Sequence, residues 1–292
     1  MKYVFKGSCV AIITPFKNGK VDFESFEKLI KFQLDNKTDA IVVLGTTGEP
    51  ATMTQEEKLQ VISFVKKIIG KKAKLIVGTG TNSTTKSIEQ SILAQENGAD
   101  ALLCVTPYYN KCTQKGLVKH FSQIANSVAI PIIVYNVPSR TGVNILPETA
   151  LELSTIPNIC GIKEASGNIS QIVKLSKLLQ NKMAIYSGDD SLNYVFMSLG
   201  ALGCISVTAN VLPKQVKFVI DSALNNDFAS SRAMHEKLLN INNDLFLEVN
   251  PIPVKFACSV LKLCQNELRL PLTQLDKKYE DKIIEDLKDF EN

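Results

Sequence analysis

Eight short apolar runs, each followed by a segment with helical spacing, constrain the fold of this chain more than any other feature. The runs are rich in β-branched residues and apolar on both faces, which is typical of parallel strands covered by helices. They lie at residues 8–14, 40–45, 74–80, 101–107, 131–138, 159–166, 184–189 and 204–210. Eight strand–helix units in succession favour an α/β fold with a closed (β/α)8 TIM barrel, and an open doubly wound sheet is the alternative.

The segments between the runs carry the end signals of helices. Thr54 and Glu57 have the spacing of a capping box at the start of one segment, and Gly70 stands where that helix should end. Pro147 and Pro213 occupy positions where prolines of a first helical turn belong. These signals predict helices on the outside of the barrel.

The pattern of the chain changes after residue 224, where the strand runs stop. Three later segments have helical spacing of their apolar residues and predict a C-terminal appendage of three helices. No long polar linker precedes them. We therefore expect a catalytic barrel over residues 1–224 and a helical region over residues 225–292.

Composition excludes several classes of partner. The chain has 33 basic and 29 acidic residues, a net charge of +4 that is spread along the sequence, so we expect neither nucleic acid nor membrane as a partner. No apolar run approaches the roughly 18 residues that span a bilayer. The first run is closed by Pro15 and is expected to be a strand, not a signal peptide. Seven cysteines without a CxxC pattern indicate reduced thiols in a cytoplasmic protein.

Motifs for bound nucleotides and metals are absent from the sequence. It contains no GxGxxG, GxxxxGK[ST] or GxSxG pattern. There are two histidines, His120 and His235, and the adjacent acids Asp189 and Asp190 lack the spaced partners of a cation site. We therefore expect no metal and no separate cofactor.

Lys163 is the most conspicuous candidate for chemistry, because it interrupts an otherwise apolar strand. In TIM barrels the working residues lie at the carboxyl ends of the strands. A buried lysine amine is a good nucleophile that forms imines with carbonyl compounds. The alternatives are an ion pair, for example with Glu164, or a head group that reaches solvent at the strand end.

Other candidates follow neighbouring strands. The GTTGE segment at residues 45–49 offers hydroxyls and backbone N–H groups that suit a small carboxylate, although it is equally a glycine-rich turn. Tyr135, and Tyr108 or Tyr109, can transfer protons, or can be structural tyrosines. Arg140 can hold a carboxylate through two hydrogen bonds, or can be an exposed loop arginine.

Together and in this order, five motifs resemble the dihydrodipicolinate synthase family, in the superfamily of pyruvate-dependent class I aldolases. The resemblance covers essentially the whole chain and implies a TIM barrel with added helices. It also implies a homo-oligomer, a tetramer built as a dimer of dimers. The motifs are GTTGE (45–49), YYNK (108–111), YNVPSRTG (135–142), GIKEASGN (161–168) and NPIPVK (250–255).

The resemblance implies a lyase that condenses pyruvate with L-aspartate 4-semialdehyde to 4-hydroxy-tetrahydrodipicolinate, the first committed step of lysine and diaminopimelate biosynthesis. Lys163 would carry pyruvate as a Schiff base, so that the covalent imine replaces a cofactor. Tyr135 would donate and accept protons over this imine. Thr46 would connect Tyr135 to Tyr109, which a neighbouring subunit would supply.

The resemblance also implies residues that bind the two substrates. Thr46 and Thr47 match the residues that bind the carboxylate of pyruvate. Arg140 matches the residue that binds the carboxylate of the semialdehyde, while Gly188 and Ile205 match residues near the imine.

Two rival functions stay open on the sequence. One is a sister pyruvate aldolase, such as a lyase for N-acetylneuraminate or a keto-deoxy sugar acid. The sequence favours the synthase, because such lyases usually carry GSTGE instead of GTTGE and lack an arginine at position 140. The other is a non-catalytic barrel that senses a keto acid, which the presence of Lys163 and Tyr135 disfavours.

We predict weak or absent feedback inhibition by lysine. Lysine-inhibited members of the family have histidines and a glutamate where this chain has Gln55, Lys58 and Lys86, while Asn82 and Tyr108 are retained. The two lysines would place like charge beside a cationic effector. Steady-state rates should stay unchanged at low-millimolar lysine, with potassium chloride at equal ionic strength as the control. Half-maximal inhibition in that range would contradict the prediction.

Overall fold

Eight parallel strands close into a barrel in the computed structural model, which describes residue 1 and residues 3–290. Each barrel strand pairs with the next along the chain, and the last pairs with the first. The barrel strands are β1 Gly7–Ala11, β4 Ala40–Val43, β5 Lys74–Gly78, β6 Ala101–Val105, β7 Ile132–Asn136, β8 Ile159–Glu164, β9 Ala184–Ser187 and β10 Gly203–Ser206; β2 Phe16–Lys17 and β3 Lys20–Val21 form a small antiparallel hairpin. The predicted TIM barrel is confirmed, and the open sheet is wrong.

All eight predicted strands exist, but each ends earlier than its apolar run. The run at 204–210 yields a strand that stops at Ser206, after which Thr208–Asn210 form a turn of 3-10 helix. The apolar residues beyond the strands are buried in loops, so hydropathy alone does not mark the strand end. The hairpin at 16–21 was not predicted, because its two strands are too short to give a pattern.

Helices cover the outside of the barrel and follow the predicted end signals. Thr54 and Glu57 form the capping box, and Gly70 caps the carboxyl end of the same helix. Pro147 and Pro213 each begin a helix. The α-helices of this part are α1 Phe23–Asp35, α2 Gln55–Ile69, α3 Thr84–Glu96, α4 Gln114–Ser127, α5 Pro138–Thr141, α6 Pro147–Leu153, α7 Ile169–Leu179, α8 Asn193–Ser198 and α9 Pro213–Leu224.

The described C-terminal region contains four α-helices, so the prediction of three is wrong. They are α10 Phe228–Lys237, α11 Leu239–Asp244, α12 Ile252–Val260 and α13 Glu280–Lys288. The first predicted helix is interrupted at Leu238, whose φ of −79° and ψ of −5° depart from α-helical values. Just beyond, the Asn242 side chain donates to the carbonyl of Asp190 and accepts from the hydroxyl of Thr208. These bonds attach α11 to the loops that follow β9 and β10.

The barrel and the C-terminal helices share one hydrophobic core. Leu238, Ile241 and Val254 belong to the same cluster of buried side chains as Val216 and Ile220 of α9. The division at residue 224 therefore stays a prediction about sequence organisation. Five of the seven cysteines are buried in the folded chain. None of the described helices has the length and apolarity to cross a membrane.

Aromatic residues fill the amino-terminal end of the barrel. The ring of Phe5 stacks on that of Tyr186, with centroids 4.4 Å apart and planes 13° apart. The Tyr186 hydroxyl donates to the Phe5 carbonyl at 2.8 Å. Gly161 leaves room for this ring, because a Cβ there would lie 2.8 Å from Tyr186. These contacts pack the amino-terminal end of the barrel, opposite the end at which the working residues of TIM barrels lie.

A buried ion pair joins the C-terminal helices to the loop after β4. Lys255 of α12 is 0% exposed and pairs with Glu49. Its ammonium also donates to the Thr14 carbonyl at 2.9 Å and lies 4.3 Å from the centroid of the Phe16 ring. Burial lowers the pKa of Lys255, and the charge of Glu49 opposes that effect. The backbone N–H of Arg269 donates to the second carboxylate oxygen of Glu49.

Lys255→Met should lower the free energy of unfolding by about 3–5 kcal/mol, because it leaves a buried carboxylate without its counter-ion. Urea denaturation measures this change. Lys31→Met, which breaks an exposed ion pair with Glu27, is the matched control and should cost less than about 1 kcal/mol. Adding Glu49→Gln to Lys255→Met should recover part of the loss. If Lys255→Met and Lys31→Met lowered the free energy of unfolding equally, the loss could not be attributed to the burial of the Lys255–Glu49 pair.

Candidate active site

A cavity of about 910 Å³ opens at the carboxyl ends of the barrel strands. This volume lies within the range of small-molecule sites in proteins. Six of the eight predicted site residues line it: Thr46, Thr47, Tyr135, Arg140, Lys163 and Gly188. The loop between α11 and α12 supplies part of the opposite wall.

Lys163 lies inside the barrel at the base of this cavity. It is 5% exposed, and its Cα is paired in register with that of Tyr135 on the neighbouring strand. The ammonium nitrogen is 4.2 Å from the centroid of the Tyr135 ring. Among the described residues Lys163 forms no ion pair, so the alternative of a Lys163–Glu164 salt bridge is wrong.

Glu164 lies on the other side of the strand, because successive side chains of a strand point to opposite faces. Its carboxylate accepts hydrogen bonds from the Ser166 N–H at 2.7 Å, the Asn136 amide at 2.8 Å and the Gln171 amide at 3.3 Å. Burial raises the pKa of Glu164, and these bonds oppose the increase. The network ties the end of β8 to the end of β7, which carry Lys163 and Tyr135.

The GTTGE segment is a tight turn as well as a wall of the cavity. Thr46–Gly48 form a 3-10 helix, and Glu49 after it is left-handed, with φ of 54°. Thr47 is 2% exposed, and its hydroxyl accepts a hydrogen bond from the Asn250 amide at 3.0 Å. The two interpretations of this segment, turn and binding element, are therefore compatible.

Arg140 belongs to the short helix α5 and is exposed on the rim of the cavity. One guanidinium nitrogen, Nη2, donates to the backbone carbonyl of Asn250 at 3.0 Å. The side chain is therefore held across the cavity, which an unattached loop arginine would not be.

Two predicted site residues do not line the cavity. Tyr109 is 91% exposed and has φ of 70°, a left-handed conformation that is uncommon for a tyrosine. Ile205 is 1% exposed and belongs to the buried cluster inside the barrel, with Tyr135. Within the described part of one chain, no hydrogen bond joins Thr46 to Tyr135 or Tyr109. The hydroxyl relay stays a prediction.

Asp189 and Asn250 line the cavity and received no role from the sequence. Burial raises the pKa of Asp189, and the neighbouring charge of Asp190 adds to the effect. Asp190 itself is structural, since it accepts from the backbone N–H groups of Val207 and Thr208. The adjacent acids Asp189 and Asp190 and the NPIPVK motif were the available signals, but neither indicates which of its residues faces the cavity.

A second cavity of about 390 Å³ adjoins the first. It is lined by Lys58 and Tyr108, and it shares Thr46, Tyr135 and Arg140 with the larger cavity. Burial lowers the pKa of Lys58. Gln55 accepts from the Gln90 amide at 2.7 Å, and Lys86 is exposed. The weak response to lysine that these residues suggest stays a prediction.

The sequence profile of the Dihydrodipicolinate synthetase family matches residues 4–290. The chain belongs to this family. The 4-hydroxy-tetrahydrodipicolinate synthase of Alkaliphilus oremlandii is 46% identical over 98% of either chain. The crystal structure of dihydrodipicolinate synthase from Aquifex aeolicus has a TM-score of 0.95, 48% identity and 98% coverage of both chains. The chloride-inhibited enzyme of Acinetobacter baumannii, solved in complex with pyruvate, has a TM-score of 0.96 and 46% identity, covering 97% of this chain and 98% of its own.

Family membership decides between the functions that the sequence left open. The relatives are synthases, so neither a sister lyase nor a non-catalytic sensor is supported. The geometry is suited to imine chemistry, since a buried primary amine beside a phenol can add to a keto group and exchange protons with it.

Gly188→Ala should slow the reaction of Lys163 with pyruvate. A Cβ at Gly188 would lie 2.9 Å from Cε of Lys163 and 2.9 Å from Cβ of Ala165, so the lysine must move. A displacement of about 1 Å at a reacting group can reduce rates by about 100-fold. The rate of adduct formation with pyruvate and borohydride measures this. An unchanged rate in Gly188→Ala would contradict the crowding.

Proposed function

We propose that Lys163 is the Schiff-base residue of this enzyme. The reaction is that of 4-hydroxy-tetrahydrodipicolinate synthase, a lyase that condenses pyruvate with aspartate 4-semialdehyde in lysine and diaminopimelate biosynthesis. The observation that carries the proposal is a lysine 5% exposed at the base of the large cavity, without an ion-pair partner among the described residues. The related enzyme solved with pyruvate supports pyruvate as the first substrate.

The amine of Lys163 adds to the keto carbon of pyruvate and expels water to give the imine. Loss of a proton from the methyl group converts the imine into an enamine, whose terminal carbon attacks the aldehyde carbon of the semialdehyde. The amine of the semialdehyde then attacks the imine carbon, which closes the ring and releases Lys163. The reaction needs a proton carrier but no cofactor other than the covalent imine.

Tyr135 is the proton carrier in this proposal. Its ring lies against the Lys163 ammonium, so its hydroxyl belongs to the same pocket as the imine. Thr46 lines the same cavity and would pass protons between Tyr135 and Tyr109 of a neighbouring subunit. The high exposure of Tyr109 supports a role outside its own chain.

Two groups are assigned to the carboxylates of the substrates. Thr46 and Thr47, with the backbone N–H groups of their turn, bind the carboxylate of pyruvate. Arg140 binds the carboxylate of the semialdehyde from the rim. Gly188 leaves space beside the Lys163 side chain, and Ile205 contributes to the apolar wall below it.

The active form in this proposal is a homo-oligomer in the cytoplasm. Tyr109 requires at least a dimer, and the family resemblance extends this to a tetramer formed by two dimers. The enzyme has pyruvate and aspartate semialdehyde as its partners, and no nucleic acid or membrane.

Borohydride reduction in the presence of pyruvate tests the role of Lys163. Intact and peptide mass spectrometry should find one reduced pyruvate adduct, on the peptide that contains Lys163. Lys163→Ala should lose both the adduct and turnover, whereas Lys177→Ala, an exposed lysine on α7, should retain both. An adduct that persists in Lys163→Ala would place the nucleophile elsewhere, and no adduct on the folded wild type would refute the imine.

A further inference from the structure

Asn250 connects the two groups that bind the substrate carboxylates. It precedes α12, is 5% exposed and lines both cavities. Its side-chain amide donates to Thr47 Oγ1 at 3.0 Å, and its backbone carbonyl accepts from Nη2 of Arg140 at 3.0 Å. One residue of the C-terminal region thus contacts Thr47 and Arg140, which arise from two different strand ends.

The bond from Asn250 determines how the Thr47 hydroxyl can be used. A hydroxyl has one proton to donate, and accepting from the amide occupies one side of its oxygen. In the described part of the chain, Thr47 Oγ1 donates to no protein acceptor. Its proton is therefore left for an acceptor in the cavity, such as a carboxylate oxygen.

The bond to Arg140 has a similar effect on the guanidinium. This group has five N–H donors in a fixed plane. The Asn250 carbonyl accepts from one of them, on Nη2, and restrains the position of the group. Among the described residues no acceptor takes the other donors, so they can bind a second carboxylate.

A further observation distinguishes Asn250 from a residue that serves packing alone. Its side-chain oxygen Oδ1 is buried and has no hydrogen-bond partner among residues 1 and 3–290. Such an unsatisfied group destabilises the folded chain and calls for an explanation. The requirement for an amide donor at Thr47 supplies one.

We propose that Asn250 is a positioning residue that orients Thr47 toward pyruvate with its side chain and Arg140 toward the semialdehyde with its main chain. The proposal rests on the proposed function, because it uses the carboxylate-binding roles of Thr47 and Arg140. It predicts that the two halves of the reaction respond differently to a change at position 250. Substitution of the side chain should affect the pyruvate half of the reaction and leave the semialdehyde half nearly unchanged.

Initial-rate kinetics of Asn250→Ser, with the concentrations of both substrates varied, tests this prediction. In a mechanism with a covalent intermediate, kcat/KM for pyruvate reports the steps up to the imine, and kcat/KM for the semialdehyde reports the steps after it. We expect kcat/KM for pyruvate to fall by about tenfold, because a Thr47 hydroxyl that is no longer held turns away from the carboxylate and one hydrogen bond to a charged group is lost. The value for the semialdehyde should change less than about threefold, since every residue keeps the main-chain carbonyl. Equal losses for both substrates would refute the positioning role.

Thr47→Val provides the second test. If Asn250 acts through the Thr47 hydroxyl, adding Asn250→Ser to Thr47→Val should cause no further loss of kcat/KM for pyruvate. If the loss of kcat/KM in the double variant equalled the product of the two single-variant losses, Asn250 would act independently of Thr47. Asn240→Ser, an exposed asparagine on α11, is the matched control for the substitution.

Asn250→Asp keeps the shape of the side chain, so it tests the proposal even if Asn250→Ser does not fold. A carboxylate there would accept the Thr47 proton and turn it away from pyruvate, and protonation would relieve this. Its kcat/KM for pyruvate should therefore recover as the pH falls, unlike that of the wild type. A parallel pH profile would refute the proposal. If wild-type Lys163 forms the adduct but kcat/KM for pyruvate is unchanged in Asn250→Ser, only this inference is rejected. If the folded wild type forms no adduct, the proposed function itself is rejected.

Discussion

The ion pair between Lys255 and Glu49 is the constraint on which the geometry of the site depends. Glu49 is in the left-handed region and ends the turn that carries the two threonines. A buried carboxylate in this position is tolerated because an equally buried ammonium faces it. Such pairs contribute little net stability relative to apolar residues, but they admit few alternative arrangements. The pair therefore defines where the turn lies relative to the C-terminal helices, and Asn250 extends that attachment to the cavity.

Two buried lysines of this chain have opposite environments. Lys255 pairs with a carboxylate, donates to a carbonyl and lies against an aromatic face. Lys163 has the ring of Tyr135 beside it and an open cavity above. The first arrangement fixes an ammonium in place. The second leaves an amine accessible to a carbonyl compound, which is what a Schiff-base enzyme requires.

The sequence was informative wherever a residue contradicted its surroundings. Lys163 was conspicuous because a cation in an apolar strand needs a function, an ion-pair partner or access to solvent. The strand runs predicted the barrel because they are apolar on both faces. The strand ends, the split between α10 and α11 and the role proposed for Asn250 were not recognisable. Each depends on a contact between distant parts of the chain, such as Asn242 with Asp190 or Asn250 with Thr47. The role proposed for Tyr109 requires a neighbouring subunit, which the fold of one chain does not describe.

The stacked rings of Phe5 and Tyr186 lie where the chain enters the first barrel strand, and neither residue lines the large cavity. In TIM barrels this end of the strands contributes to stability, whereas the opposite end carries the chemistry. Sequence changes around Phe5 can therefore alter how well the barrel withstands heat or denaturant without altering which molecules it accepts.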